Sequence, residues 1–394
     1  MKNNRTFLEK LLDGAEVEWK TLDEISSIYG GLTGKGKADF ENGNALYVPY
    51  KNIFNNIEID FNNLEAVNVS DDERQYTIKY GDVLFTGSSE TAEEAGMSSV
   101  VTTKTEQKIY LNSFSFGLRF NDDVELLPEF SKFLFRTLSI RKEIVKSASG
   151  VTRFNISKAR FKKIKIPIPP HPVQTEIVKI LDTLTVLTSE LTSELTLRRK
   201  QYEYYREKLL SEEELGKIGV QWKALGEIVP ISRGKRLIRS QLKDNDQYPV
   251  YQNSLQPLGY YDHKNCRAYM TFVIAAGAAG EIGFSNVEFW AADDCYYFDC
   301  ANKILHDKFL YYFLLSNKHL LTNQVRKASV PRLSRVSIEK IKIPIVSFKE
   351  QERIVAILDK FETLTHSITE GLPLAIGQSR KRYEYYRELL LNFS

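Results

Sequence analysis

The chain repeats itself, and the repeat limits its architecture before any other feature is weighed. KIKIPIPPHPVQTEIVKILD, beginning at Lys163, returns as KIKIPIVSFKEQERIVAILD from Lys340, an offset of 177 with 12 of 20 positions identical. RRKQYEYYREKLL from Arg198 returns as SRKRYEYYRELLL from Ser379, an offset of 181 with 10 of 13 identical. A third pair stands ahead of each copy: VEWKTLDEI from Val17 and VQWKALGEI from Val220, offset by 203 with 6 of 9 identical. The order is therefore variable module, shared segment, variable module, shared segment. Trp19 and Pro167 are 148 positions apart and Trp222 and Pro344 are 122 apart, so the first variable module is longer by 26 residues. The interiors of the two modules share little alignable sequence.

The shared segments read as helices. From Pro172 to Leu210 the apolar residues Ile177, Ile180, Leu181, Leu184, Leu187, Leu191, Leu195, Tyr202, Tyr205 and Leu209 recur at spacings of three and four, with no Gly or Pro between them after the start. Pro172 suits the first helical position. Thirty-nine residues of helix would run ~58 Å at 1.5 Å per residue. The second copy carries Ile354, Ile357, Leu358, Phe361, Leu364 and Ile368, and begins at Ser347-Phe348-Lys349-Glu350, the form of a capping box. Gly371 and Pro373 predict a break or kink, after which Tyr383, Tyr386 and Leu390 resume the stripe. Two long helices with one apolar stripe each are natural partners for one another, and an antiparallel pair is expected. Packing of each helix on its own module alone is the alternative. Paired helices would act as a ruler, and the tandem LTSE at 187–194 hints at its unit: each tetrad adds ~6 Å, roughly two base-pair steps of B-DNA. The charged faces, with Arg198, Arg199, Lys200, Arg380, Lys381 and Arg382, read as solvated surface or as a docking face for partners.

Each variable module runs from V-x-W-K-x-L to KIKIP. Between these lie short β-branched or aromatic runs bounded by turn residues: ALYVPY at 45–50, GDVLFTG at 81–87, SSVVTT at 98–103 and FSFGLRF at 114–120, then YPVYQ at 248–252, MTFVIAAG at 270–277 and CYYFDC at 295–300. Helical patterns follow late in each module, and KIKIP reads as its last strand. Loops rich in Gly, Ser, Thr and basic residues recur at matching places: 30–35 and 232–236, 149–155 and 329–334, with 86–89 and 277–280 beside them. Such loops suit contacts to phosphates and base edges, and equally suit plain turns.

Signatures of chemistry are tested and fail. Gly31 to Lys37 fits G-x-x-x-x-G-K, but Ala38 stands where a P-loop needs Ser or Thr, and no helix start follows. The five histidines form no i, i+4 pair, the three cysteines (Cys266, Cys295, Cys300) no CxxC, and no Gly-x-Ser-x-Gly occurs. The [DNS]-P-P-[YFW] tetrad of amino-methyltransferases is missing, since the single Pro-Pro lies in Ile168-Pro169-Pro170-His171. Asp293-Asp294 suits a metal, an acceptor from cytosine, or a hydrogen-bonded turn. A net charge of +3 permits nucleic-acid binding without arguing for it, so a basic surface must be local. The start, MKNNRTFLEKLLDG, lacks the apolar run of a signal peptide, and no stretch of about 18 apolar residues exists, so a cytoplasmic protein with no membrane contact is expected.

The full-length order resembles the specificity subunit of type I restriction-modification enzymes. The paired V-x-W-K-x-L openings, the two KIKIP closings, the Q-x-x-I-V-x-I-L-D helix starts and the two R-K-x-Y-E-Y-Y-R-E helix ends carry the resemblance across nearly all of the chain. It implies two target recognition domains, each reading half of a split site on double-stranded DNA, asymmetric because the modules differ. It implies spacer helices that fix the gap and recruit two methyltransferase subunits, and two restriction-translocase subunits in the holoenzyme. S-adenosylmethionine, ATP and magnesium would serve those partners, with no cofactor, metal or catalytic residue in this chain.

The expected fold class is α+β: two recognition modules with mostly antiparallel sheets, joined by two long antiparallel coiled-coil helices in a pseudo-twofold duplication. The expected boundaries are 1–170 and 213–346 for the modules, 171–212 for the central helix and 347–394 for the C-terminal helix, broken near 371–373. For DNA contact the expected residues are Lys35, Ser88, Thr152, Arg153 and Asn155 in the first module, and Arg233, Lys235, Arg236, Gln252, Asn253 and Arg332 in the second. For the spacer and its partners they are Leu184, Leu187, Leu191, Tyr202, Tyr205, Phe361, Leu364, Tyr383 and Tyr386. Two rivals stay open: a stand-alone nuclease using Asp293 and Asp294, and a helical scaffold without DNA specificity. Both leave the twin modules unexplained.

Overall fold

The computed structural model describes residues 7–243, 246–301, 303–327 and 329–393; the first six residues of the stretch examined for a signal peptide lie outside it. The chain forms two compact units, 1–190 with 377–394, and 191–376. These cut across the linear boundaries expected above, because the last residues of the chain fold with the first module.

The first module opens with β1 (Glu18–Thr21) and β2 (Ser26–Gly30). β3 (Ala45–Val48) passes through Pro49, which caps helix α1 (Tyr50–Asn55). β4 (Glu65–Val67), β5 (Val83–Thr86), the short β6 (Ser88–Ser89), β7 (Ser98–Val100), β8 (Ile109–Leu111) and β9 (Ser115–Phe120) follow. Helices α2 (Pro128–Leu134) and α3 (Leu138–Ser147), a hairpin of β10 (Ala148–Ser149) and β11 (Phe154–Ile156), and β12 (Lys165–Ile168) complete it. The main sheet is ordered β2-β9-β5-β7 and is antiparallel throughout; a second, β4-β3-β8, contains one parallel pair. All four residues of β5 are buried because the strand is covered on both faces. Val83 and Phe85 point into a core with α2 and α3, where Phe85 stacks on Phe116 at 5.3 Å, and Leu84 points into the core under the second sheet.

Helix α4 (His171–Leu209) follows without interruption, with Pro172 at its second residue rather than its first. The second module then repeats the first: β13 (Gln221–Ala224), β14 (Ile231–Arg233), β15 (Tyr248–Tyr251), β16 (Gly259–Tyr261), β17 (Met270–Ile274), β18 (Ile282–Ser285), β19 (Trp290–Ala291), β20 (Cys295–Phe298), α5 (Asp307–Ser316) and β21 (Lys342–Ile345). Its sheets β14-β20-β17-β18 and β16-β15-β19 have the same topology, including one parallel pair. β17 is buried throughout, with Val273 on one face and Phe272 and Ile274 on the other.

The repeated words of the sequence turn out to be the two ends of each module zipped together. β1 pairs with β12 and β13 with β21, both antiparallel, and the register is the same: Trp19 opposite Pro167, Trp222 opposite Pro344. Each module is thus a closed loop of chain hung from one helix start.

That junction is locked by a buried glutamine. The Gln174 carbonyl accepts from the Leu127 N–H at 2.8 Å, and its amide donates to the Glu125 and Pro169 carbonyls at 2.7 and 2.8 Å. Gln351 does the same in the second unit, accepting from His306 N–H at 2.8 Å and donating to Ile304 and Val346 at 2.9 and 3.0 Å. Both side chains are fully buried. A lysine adds an ion pair at each junction: Lys132 to Asp182 and Lys308 to Asp359, both 2.8 Å.

Within the first unit the start of α4 lies antiparallel to the end of helix α7 (Gly371–Leu390). Ile177 and Leu181 share a core with Leu390 and Leu391, and the Thr188 hydroxyl meets that of Ser379 at 2.8 Å. Within the second unit the end of α4 lies antiparallel to helix α6 (Phe348–His366): Tyr205 stacks on Phe361 at 5.6 Å and Arg199 reaches the Thr365 carbonyl. Ser347 caps α6 by accepting from the Glu350 N–H. The interruption falls at 367–370, just ahead of the expected 371–373. Gly371 makes the restart possible: at φ +80° it sits in the left-handed region, and a Cβ there would lie 2.5 Å from the Thr363 carbonyl oxygen. Pro373 occupies the first turn of α7, where its missing N–H costs no hydrogen bond.

Candidate nucleic-acid interface

In the first module, Tyr50 of α1, Ser88 of β6, Phe114 ahead of β9, and Thr152 and Arg153 of the β10–β11 turn surround a cleft of about 540 Å³. The Tyr50 hydroxyl donates to the Ser88 carbonyl at 2.8 Å, and the Arg153 guanidinium lies over the Phe114 ring at 5.6 Å while its Nε reaches the Ser88 hydroxyl at 3.3 Å. Ser88 is buried, Thr152 and Arg153 are exposed, and Phe114 is 59% exposed. Asn155 is exposed on β11 at the rim, its backbone paired with Ser88. Lys35 is elsewhere. Its side chain is buried against Glu73, whose carboxyl the ammonium holds down to about 2, so an ion pair to a residue 38 positions on occupies the charge expected for DNA.

Two half-buried arginines hold the walls of this cleft. Arg136 donates to the carbonyls of Ile53, Asn56 and Ser98, and Arg141 to those of Glu93, Ala95 and Gly96. Burial pulls both guanidinium groups down to about 10, and no carboxylate pairs with either among the described residues.

In the second module Arg236, Arg239, Gln252, Asn253, Asp293, Asp294 and Arg332 line a cleft of about 570 Å³. None of these seven side chains makes a hydrogen bond or ion pair among the described residues. Arg233 lies beside it, its Nε donating to the Asp293 carbonyl at 2.7 Å. Lys235 contributes backbone: its N–H donates to the Ala291 carbonyl and its own carbonyl accepts from the Trp290 indole. Four expected residues thus converge (Arg236, Gln252, Asn253, Arg332). Sequence reading passed over Arg239 here and Tyr50 and Phe114 in the first module; their only signal was proximity to the marked loops. A roomier cleft of about 740 Å³ lies at Trp222, Phe313 and Lys340 by the closing ladder, away from these residues.

The two clefts occupy corresponding places. Gly31 and Gly234 begin the first loop of each module, and a Cβ on either would fall about 2 Å from a carbonyl oxygen, of Asn112 or Ala292. Among the helical residues, Leu184, Leu191, Phe361, Leu364 and Tyr383 are half-buried and Tyr202 is buried. Leu187 is 39% exposed, and Tyr205 and Tyr386 are each 36% exposed. Tyr204 and Tyr385, not anticipated, are more exposed than either and form matching tyrosine pairs with Tyr205 and Tyr386. Burial raises the thiols of Cys266, Cys295 and Cys300, that of Cys266 to about 12. Among the described residues no group of three or more His, Cys, Asp or Glu is placed to hold a metal ion, and no helix is long and apolar enough to cross a membrane.

The sequence profile of the type I restriction modification DNA specificity domain matches twice, at residues 15–197 and 217–378. The chain is 38% identical to a putative type I restriction enzyme specificity subunit of Haemophilus influenzae over 100% of both chains. It is 30% identical to the specificity subunit of an Escherichia coli type I restriction enzyme over 98% of this chain and 97% of that one. In fold it is similar to the type I restriction-modification S subunit of M. genitalium, with a TM-score of 0.55 at 17% identity over 97% and 98% of the two chains. Two matched domains that coincide with two modules of one topology leave a single assignment: the chain belongs to the type I restriction-modification DNA specificity family, the specificity subunits of type I restriction enzymes.

Proposed function

We propose that each module reads one half of a bipartite, asymmetric site on double-stranded DNA, and that the chain does no chemistry itself. The observation that carries this is the pairing of one scaffold with two different clefts. The closing ladders share a register, yet the first cleft sets the rings of Tyr50, Phe54 and Phe114 among Lys51, Glu90, Glu94 and Arg153, while the second has no ring and seven polar side chains without a partner among the described residues. A scaffold kept constant around changed contact residues is what two different half-sites require. Ser88, Thr152, Arg153 and Asn155 serve the first half-site, and Arg233, Arg236, Gln252, Asn253 and Arg332 the second. Lys35 and Lys235 support their loops.

The helices α4, α6 and α7 set the gap and seat two methyltransferase subunits, and the matching exposed tyrosine pairs supply two like docking points. Two restriction-translocase subunits join that assembly. S-adenosylmethionine, ATP and magnesium are bound by the partners. The test is methylome sequencing of a host carrying the cognate methyltransferase with and without this chain. A methylated motif of two unequal halves around a fixed gap, present only with the chain, is expected. An active methyltransferase whose motif is indifferent to the chain would reduce it to a scaffold.

A further inference from the structure

Beside each cleft the chain carries one outward-facing residue at the same place on the same ladder. In the first module Asn155 lies between Ser149 and Ser88. In the second, Arg332 forms bridges to Arg326 and Ala276. The offsets agree, 326 − 149 = 332 − 155 = 177, the shift that relates the two KIKIP segments. The next residues continue the match: Ile156 N–H donates to the Gly87 carbonyl at 3.0 Å and Leu333 N–H to the Ala275 carbonyl at 2.8 Å. Main-chain pairing on both sides fixes the backbone, and both side chains are exposed.

Resting on the DNA-reading assignment above, we propose that this position reads one base in each half-site: Asn155 an adenine, and Arg332 a guanine. An asparagine amide offers one donor and one acceptor, which match the N7 acceptor and N6 amino group of adenine. A guanidinium offers two parallel donors, which match N7 and O6 of guanine. Neither serves the other base, because a donor would then face an amino group or a carbonyl a carbonyl.

The surroundings favour base edges over phosphate at both places. Arg332 shares its cleft with Arg236 and Arg239, which can take phosphate, and with Asp293 and Asp294, which a phosphate would meet as like charges and a base-pair edge would not. The donors that the major groove offers a carboxylate are the amino groups of cytosine and adenine, so an arginine with carboxylates beside it fits a G·C pair read on both strands. Asn155 is neutral and gains little from phosphate. The cleft it borders through its backbone partner Ser88 holds the exposed ring of Phe114, an apolar surface suited to the methyl group of the thymine paired with adenine.

The test exchanges the two residues in the full chain, co-expressed with its methyltransferase. Asn155→Arg is expected to change one position of the first half-site from adenine to guanine, and Arg332→Asn one position of the second from guanine to adenine. The untouched half-site in each variant reports folding and assembly. In the parent complex, 7-deazaguanine at the assigned second-half position is expected to weaken binding roughly 10- to 100-fold. Variants that methylate the parent motif unchanged, or 7-deazaguanine without effect at every guanine of that half-site, overturn the base assignment while leaving the DNA-reading role intact. Where a variant abolishes methylation, the parent decides: 7-deazaguanine in the second half-site for Arg332, and 7-deazaadenine in the first, expected to weaken binding likewise and overturning the assignment if without effect at every adenine there, for Asn155. No chain-dependent motif with the parent protein overturns the DNA-reading role itself.

Discussion

Replacing Gln351 by leucine should cost the second unit about 3 kcal/mol, although the site lies away from the proposed DNA surface. The side chain is fully buried and satisfies three backbone groups, His306 N–H and the carbonyls of Ile304 and Val346. A buried N–H left without a partner costs ~1–3 kcal/mol, and each hydrogen bond withdrawn from a carbonyl ~0.5–1.5 kcal/mol. At roughly 2–4 °C per kcal/mol for a domain of this size, the melting temperature should fall by roughly 6–12 °C. Gln351→Glu sharpens the test because it keeps the shape. Its carboxylate can still accept from His306, but it points an oxygen at two carbonyl oxygens unless it is protonated. The folded state therefore raises that carboxyl above the unfolded value of about 4.3. A raised acid binds its proton more tightly when folded, so the deficit should be largest at neutral pH and shrink as pH falls toward 4.3. The measurement is thermal unfolding of parent, Gln351→Leu and Gln351→Glu at several pH values between 5 and 8. A leucine variant within ~0.5 kcal/mol of the parent, or a glutamate deficit independent of pH, would refute the reasoning.

Two further outcomes follow from local geometry. The His306 Nδ1 accepts from the Lys308 N–H at 3.1 Å and so caps α5 in its neutral form, and burial lowers its pKa against the opposing pull of Asp307, Glu352 and Asp359. Its contribution is complete above the unfolded value of about 6.5 and lost as pH falls through the lowered folded value; His306→Asn should keep the cap and remove that part of the pH dependence of melting. Gly31→Ala would set a Cβ 1.9 Å from the Asn112 carbonyl oxygen, which is backbone and cannot turn aside, so a loss of about 3 kcal/mol is expected in urea titration, with altered preference confined to the first half-site.

The duplication was legible because the parts that repeat are scaffold: the closing strands, the helix starts and the tyrosine-rich helix ends. The buried strands were legible because a strand covered on both faces is apolar at nearly every step, as Val83 to Phe85 and Phe272 to Ile274 are. The glutamine was in plain view in both Q-x-x-I-V-x-I-L-D segments, yet its role was not. Its partners come from Glu125 and Leu127, or Ile304 and His306, more than 40 residues upstream, and nothing local marks a segment that will present bare backbone to a buried amide. Lys35 was misleading for a similar reason: a lysine in a glycine-rich loop reads as phosphate-seeking until Glu73, 38 residues on, is seen to hold it.

The candidate interface failed to show itself by repetition for a deeper reason. Within one chain that reads two different half-sites, scaffold positions gain from staying alike, and reading positions are useful only if they differ. Identity between the halves must therefore fade where function is concentrated. The offset of 177 runs back past KIKIP to Asn155 and Arg332, but there it joins unlike residues, and no comparison of side chains would have paired them. The backbone ladder pairs them, because hydrogen-bonded register is indifferent to the side chain it carries. A position that is constant in the backbone and unlike in chemistry is where a duplicated reader would place the difference between its two halves.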